Sequence, residues 1–275
     1  MPVTDSPSDR GVVDGHVHLT GEGSADGLTA EDYVRQMDAA GIGRSVAATS
    51  TKRHGFDNAP VADAAGRFPG RIAPVGAIDV LAPAAADALG YWVRERGLRG
   101  MRCFGGSSAD ADGWLGDERC AGVLARAASL GTVVSAQRTR ISTVPPLIAA
   151  VRPYPGLRFV VYSAAAPVVG ESGRSADVDV LARLAAVDGC HVSVSVANAR
   201  ATFSAAAGYS RFFEVLCERF GVQRVAWGSY SLFTGAEPHD SLGSVLAEMR
   251  ASFSFLSPGE LSWVLGRTAA QLFWS

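Results

Sequence analysis

Short apolar runs and helix-period stretches alternate eight times along 275 residues, and this alternation constrains the fold more than any other feature. The apolar runs fall at 12–19, 45–48, 72–78, 100–103, 132–136, 158–161, 191–196 and 225–227. The helical stretches between and after them fall at 29–40, 57–70, 84–95, 117–130, 144–151, 177–186, 209–220 and 240–251, with a further segment at 257–273. Thr29 predicts a helix cap, with Asp32 at the capping-box position, and Gly41 and Gly131 predict helix ends. Eight strand–helix units in this length predict an α/β fold, a closed (β/α)8 TIM barrel, in preference to an open doubly wound sheet. No linker or low-complexity stretch divides the chain, so one domain over 1–275 is expected.

Hydrophobic residues make up 48% and charged residues 19%, enough to bury a large core, and the net charge is −2. No basic run suggests nucleic-acid binding. No apolar run approaches the ~18 residues of a membrane span. The first ten residues carry no apolar or basic signal region, which leads to the expectation of a cytoplasmic chain that meets neither membrane nor nucleic acid. Cys103, Cys120, Cys190 and Cys217 lack CxxC spacing and read as buried, reduced thiols.

In a barrel of this kind the active site lies at the carboxyl ends of the strands. His16 and His18 there share one strand face, since side chains two apart point the same way. Imidazoles so placed suit metal binding or proton transfer near neutral pH. Asp14 reads equally as a group orienting them or as a backbone-bonded strand-end residue. The other strand ends supply Thr49 to Thr51, Asp79, Arg102, Gln137 and Arg138, Tyr162 and Ser163, Asn198, and Ser229 with Tyr230. Alternation turns Gln137 inward and Arg138 outward. His54 could lid the site from its loop, and His239 lies after strand eight. His191 opens strand seven at the opposite end and is given no role.

The segments DGHVHL, DNAPVADAAGRFPGRIAPVGAIDV, GLRGMRCF, FGVQRVAWGS and LSWVLGRTAAQLF together resemble the amidohydrolase superfamily, in its amidohydrolase-2 branch of small lactonases and decarboxylases. The resemblance implies a (β/α)8 barrel and, ordinarily, a metal-dependent hydrolytic site. It also implies that Arg102 stands where a family arginine contacts an anionic substrate. The chain departs from the pattern at the remaining positions. Strand five ends in Gln137 and Arg138 without a histidine, and Tyr162 and Ser163 replace an Asp-His pair. Tyr230 replaces the strand-eight aspartate, and Arg267 stands where the last helix often has asparagine. A phenol with an ordinary pKa near 10 is a poor base at neutral pH. Two histidines also fall short of the three protein ligands of a catalytic zinc site.

These departures lead to the expectation of an enzyme that needs no cofactor. His16, His18 and Tyr230 would be catalytic, and Arg102, Gln137, Tyr162 and Ser163 would bind a small anionic metabolite. The reaction could be hydrolysis, cyclisation, dehydration, isomerisation or decarboxylation in a specialised biosynthetic pathway. The expected partner is a small-molecule substrate, and the sequence is compatible with a homo-oligomer. Two alternatives stay open: a non-catalytic barrel that binds a metabolite or a partner protein, and a conventional hydrolase holding zinc or manganese through His16, His18 and a third ligand.

Overall fold

The computed structural model describes residues 11–20, 28–107, 110, 112–136, 140–165, 167–169, 173–196, 199–200, 206–230 and 241–275. Eight parallel strands lie in chain order in one sheet. They are β1 Val13–Leu19, β2 Arg44–Thr49, β3 Ile72–Asp79, β4 Gly100–Phe104, β5 Val133–Ala136, β6 Phe159–Val161, β7 Cys190–Val194 and β8 Val225–Trp227. Parallel neighbours need a crossover between them, and helices supply it. They are α1 Ala30–Ala40, α2 Thr51–His54, α3 Ala59–Arg67, α4 Ala85–Arg94, α5 Ala121–Leu130, α6 Val144–Val151, α7 Ala176–Ala182, α8 Ala206–Phe220 and α9 Leu242–Ser252. The chain closes with α10 Pro258–Ser262, a π-helical segment Trp263–Arg267, and α11 Thr268–Trp274.

The expected barrel is therefore present, with helix boundaries shifted by a few residues. Thr29 caps α1 by accepting from the Asp32 amide, and Gly41 and Gly131 end α1 and α5 in the left-handed conformation. One expectation was incomplete. The loop after β2 contains the extra short helix α2, and the stretch expected at 57–70 forms α3, with Asn58 at its start making no side-chain cap. No helix among the described residues is long and apolar enough to cross a membrane. The four cysteines are buried free thiols.

The strands bury both faces, as parallel strands covered by helices must. The outer core joins strands to helices through residues such as Val17, Leu19, Tyr33, Phe159, Trp227 and Phe213. A second cluster fills the barrel itself: Val46, Ala48, Ala73, Val75, Val133, Val160 and Tyr162, with Leu272 and Phe273 of α11. The last helix thus packs into the barrel's own core. Arg158 fastens it, donating to the Gln271 carbonyl at 3.4 Å, to the Ser275 hydroxyl at 2.9 Å and to the Gly131 carbonyl.

The seam between β1 and β8 has no regular ladder. Instead the Tyr230 amide donates to the His16 carbonyl at 3.0 Å, and the Ser229 amide to Asp14 Oδ1 at 2.8 Å. The backbones approach so closely that a Cβ on Gly15 would lie 2.4 Å from the Trp227 carbonyl oxygen. A Cβ on Gly228 would lie 2.9 Å from the His16 nitrogen. Gly15→Ala forces the seam apart, and overpacking of this kind costs ~1–3 kcal/mol. Thermal denaturation of Gly15→Ala is expected to show a melting point several degrees below the parent, and an unchanged melting point would show that the seam tolerates a methyl group.

Candidate functional site

The site grows out of an irregularity in β1. Asp14 pairs with Ser45 of β2 and Val17 with Ala47, so β1 advances three residues where β2 advances two. Such a bulge re-aims side chains. It leaves His16 and His18 on the barrel's inner face and places Asp14 beside Tyr33 of α1, in the outer layer. The Tyr33 hydroxyl donates to Asp14 Oδ2 at 2.5 Å, and the His16 and Ser229 amides donate to Oδ1 at 3.1 and 2.8 Å. Asp14 is fully buried, and burial pushes its pKa up while these hydrogen bonds pull it back. Of the two roles open to Asp14, the structure thus shows backbone bonding: it fixes the histidine strand and the barrel seam through main-chain amides, with no bond to either imidazole.

His16 and His18 meet directly, Nε2 to Nε2, at 3.1 Å. His16 lies between two phenols, with Tyr162 centred 4.2 Å and Tyr230 4.8 Å from its ring, the latter stacked. Burial first, then the charges of His18 and Arg102, hold His16 well below the ordinary imidazole range. Burial and Arg102 lower His18 to about 3, against a weaker opposing pull from the Ala48 and Thr49 backbone. The free pair is therefore neutral at neutral pH. The expectation that both histidines titrate near neutrality is corrected: among the described residues no carboxylate bonds either ring, and the Arg102 guanidinium lowers both. A neutral pair at this distance carries one hydrogen between the two Nε2 atoms, one ring donating and the other accepting.

Arg102 lies inside the barrel on β4, between Ala77 of β3 and Ser135 of β5. It is buried, donates from Nη1 to the Thr49 carbonyl at 2.6 Å, and stacks 5.1 Å above the Phe104 ring. Tyr162 is buried among the barrel's apolar residues, and its hydroxyl donates to the Gly15 carbonyl at 3.3 Å. Burial pushes its phenol upward. Ser163, Ser193, Ser195 and Tyr230 join His16 and Tyr162 in lining a narrow crevice.

The backbone here is strained. Ser163, Ala164, Ala165 and Tyr230 adopt φ of 55°, 43°, 58° and 43°, and these are the non-glycine residues in the left-handed region among those described. Each such residue costs on the order of 1–3 kcal/mol and persists only where its surroundings hold it. All four lie at the carboxyl ends of β6 and β8, on either side of His16.

The structure thus brings together His16, His18, Arg102, Tyr162, Ser163 and Tyr230. It spends Asp79 on loop structure, with Oδ1 accepting from the Leu81 and Gly106 amides at 3.1 and 2.8 Å. Thr51 starts α2, and His54 ends it. His191 is bonded to the Gly189 carbonyl at 3.0 Å at the amino end of β7. Arg267 stacks 4.0 Å above Trp263 in the closing segment. Gln137, Arg138, Asn198 and His239 lie outside the described residues. Sequence reasoning missed Ser193, Ser195 and Asn58. The alternation Ser193-Val194-Ser195-Val196 was a usable signal for the first two, since it sets both hydroxyls on one face at the carboxyl end of β7.

A ring of polar side chains at the carboxyl mouth of an eight-stranded barrel is the arrangement of a barrel enzyme. The sequence profile of the amidohydrolase family matches residues 13–274, and the chain belongs to that family. No curated protein sequence matches. Among solved structures, the barrel is similar to a probable 2-pyrone-4,6-dicarboxylic acid hydrolase from Acinetobacter baumannii with bound citric acid. That match has a TM-score of 0.76 at 14% identity and covers 96% of this chain and all (100%) of the other. An amidohydrolase from Burkholderia multivorans with bound zinc matches at TM-score 0.73 and 23% identity, over 95% of this chain and 98% of the other. A 5-carboxyvanillate decarboxylase from Sphingomonas paucimobilis matches at 0.68 and 12%, over 97% and 99%. At these identities the likeness establishes the fold.

The family implies a divalent metal, and the donor set can be tested against one. The 3.1 Å between the two Nε2 atoms is a separation that two imidazoles take when they share an ion at ~2.0–2.1 Å. The rest does not fit. Among the described residues no group of three or more His, Cys, Asp or Glu side chains converges. The Arg102 guanidinium is close enough to depress both histidines, so it equally repels a cation. Tyr162 is a phenol that burial makes harder to ionise.

The neutral histidines give a signed pH prediction. A histidine whose folded pKa lies below its unfolded value binds fewer protons when folded, so stability is complete above the unfolded value and falls as the pH drops toward the folded one. For His18 that window runs from 6.5 down to about 3. Asp14, with its raised pKa, works in the opposite sense, and a comparison with His18→Gln cancels it. In urea titrations the parent is expected to lose up to ~1.4 kcal/mol per pH unit more than His18→Gln across that window. Identical pH profiles would show that His18 titrates normally.

Proposed function

We propose that this amidohydrolase-family chain is an enzyme that carries out proton transfer on a small anionic metabolite without a tightly held divalent metal. The observation that carries the reading is the contact of His16 Nε2 with His18 Nε2 at 3.1 Å beside a buried arginine whose charge depresses both. An anion seated against Arg102 offsets that charge, and the histidine pair becomes more basic when substrate is bound. The pair then takes a proton from substrate or water and returns it, with Tyr230 as hydroxyl donor to a carbonyl or enolate oxygen and Tyr162, whose hydroxyl bonds the Gly15 carbonyl, lining the pocket. Hydrolysis of a lactone, decarboxylation, dehydration, cyclisation and isomerisation all share this step. The substrate classes in the structural neighbours' names, pyrone carboxylates and carboxylated phenols, are the first to try.

The spacing of the histidines favours one second reading, a metal-dependent hydrolase completed by a ligand outside the described residues. Assays on carboxylated pyrones, lactones and hydroxybenzoates, with protein treated with chelator or reloaded with zinc or manganese, separate the two. Turnover is expected to survive chelation. His16→Ala and His18→Ala are each expected to lower it by ~10²–10⁴, the range for positioned acid–base groups, with the circular dichroism spectrum retained. Turnover that appears only with one equivalent of zinc would establish the second reading, and full turnover in both variants would remove the histidines from the chemistry.

A further inference from the structure

Asn58 is fully buried, and its side chain makes three hydrogen bonds, none to its own helix. Its Oδ1 accepts from the Thr49 hydroxyl at 2.8 Å and from the Ala77 amide at 2.7 Å, and its Nδ2 donates to the Ala77 carbonyl at 3.1 Å. The amide group thus mimics a strand neighbour to Ala77 and clamps the last residue of β2 to β3. The packing is close: a Cβ on Gly76 would lie 3.0 Å from Asn58 Cγ. Thr49 then uses its own carbonyl to accept from Arg102 Nη1 at 2.6 Å, and Arg102 is paired in register with Ala77. Asn58 and Arg102 therefore both bind Thr49, one at its hydroxyl and the other at its carbonyl, and both adjoin Ala77, so Thr49 is the residue that joins them.

We infer that Asn58 is a positioning residue for Arg102, acting through Thr49 to fix the guanidinium at the barrel mouth. A guanidinium is a planar fork on a flexible stem, and its value for recognising an anion depends on being held in one orientation. The Phe104 ring supports one face of it, and the Thr49 carbonyl sets its rotation. A carbonyl at the end of a strand is free to turn with the following loop, and here the next residues enter α2. The Thr49–Asn58 bond removes that freedom. Thr49 is also where the last β1–β2 register pair forms, with Leu19, so the clamp acts one position from the strand pair of His18. The importance of a fixed Arg102 rests on the proposed anionic substrate. The clamp itself does not, and its test needs no substrate.

The experiment follows the Arg102 Nε–H resonance by NMR, assigned by its loss in Arg102→Lys, and measures its exchange with solvent. In the parent the resonance is expected to be visible and slowly exchanging. Thr49→Val keeps the side-chain shape and removes only the hydroxyl that binds Asn58. It is expected to speed Arg102 exchange by about tenfold, the change that one lost hydrogen bond makes to a local opening equilibrium. Thr49→Ser, which retains the hydroxyl, is expected to restore the parent rate. Asn58→Ala is expected to act like Thr49→Val or more strongly, and if it does not fold, the threonine pair carries the test alone. Arg102 exchange unchanged in folded Thr49→Val, equal acceleration in Thr49→Ser, or an Arg102 resonance already lost to fast exchange in the parent would each overturn the inference. None of these results depends on turnover, so failure of the enzymatic reading would leave this test standing.

Discussion

The structure depends most on how the barrel closes between β1 and β8. Closing a sheet requires the first and last strands to meet, yet this seam has little regular pairing. Asp14 substitutes for it: one buried carboxylate accepts from an amide of its own strand, an amide after β8, and a hydroxyl of α1. Buried amides left without acceptors cost ~1–3 kcal/mol each, so this carboxylate is a structural necessity before it is anything else. The bulge that frees Asp14 for this work also sets the inward aim of His16 and His18. Seam and site are therefore one construction, and Tyr230 belongs to both, donating its amide to His16 and stacking its ring on the same residue.

Electrostatics then decide what the two histidines can do. His16 is buried and His18 largely so, each is depressed, and the charge that acts on both is the Arg102 cation. Neutral imidazoles are what a metal would need, but a neighbouring guanidinium works against one, and among the described residues no cluster of carboxylates offsets it. The same arrangement suits an anion, which offsets the guanidinium and lets an imidazole take up a proton. The left-handed backbone at Ser163–Ala165 and Tyr230 surrounds this spot, and strain of that kind is tolerated where the fold holds a particular shape against it.

Much of this was legible in the chain. Apolar runs of strand length alternating with capped amphipathic helices specify parallel strands with crossover helices, and eight such units favour closure. Thr29, Gly41 and Gly131 acted at the helix ends where their local chemistry placed them. Counting strand ends also placed His16, His18, Tyr162, Ser163 and Tyr230 near one another, though it passed over Ser193 and Ser195. The role of Asn58 was not legible, because only the proximity of β2 and β3 in the fold gives its amide partners there.

What the sequence determined by itself was the repeat and the barrel, and with them which strand ends form its carboxyl mouth, since these follow from period and polarity along a single chain. What only the tertiary structure decided was the role of each side chain there. Asp14 lies beside α1 because of a one-residue bulge that no local pattern announces. The histidines are neutral because burial and an arginine from a distant strand act on them together. Arg102 is fixed because a carbonyl 53 positions away, on a threonine whose hydroxyl Asn58 holds, accepts its hydrogen bond. Hydrogen bonds and charges act through space at a few ångströms, and the sequence separation between such partners carries no record of that distance.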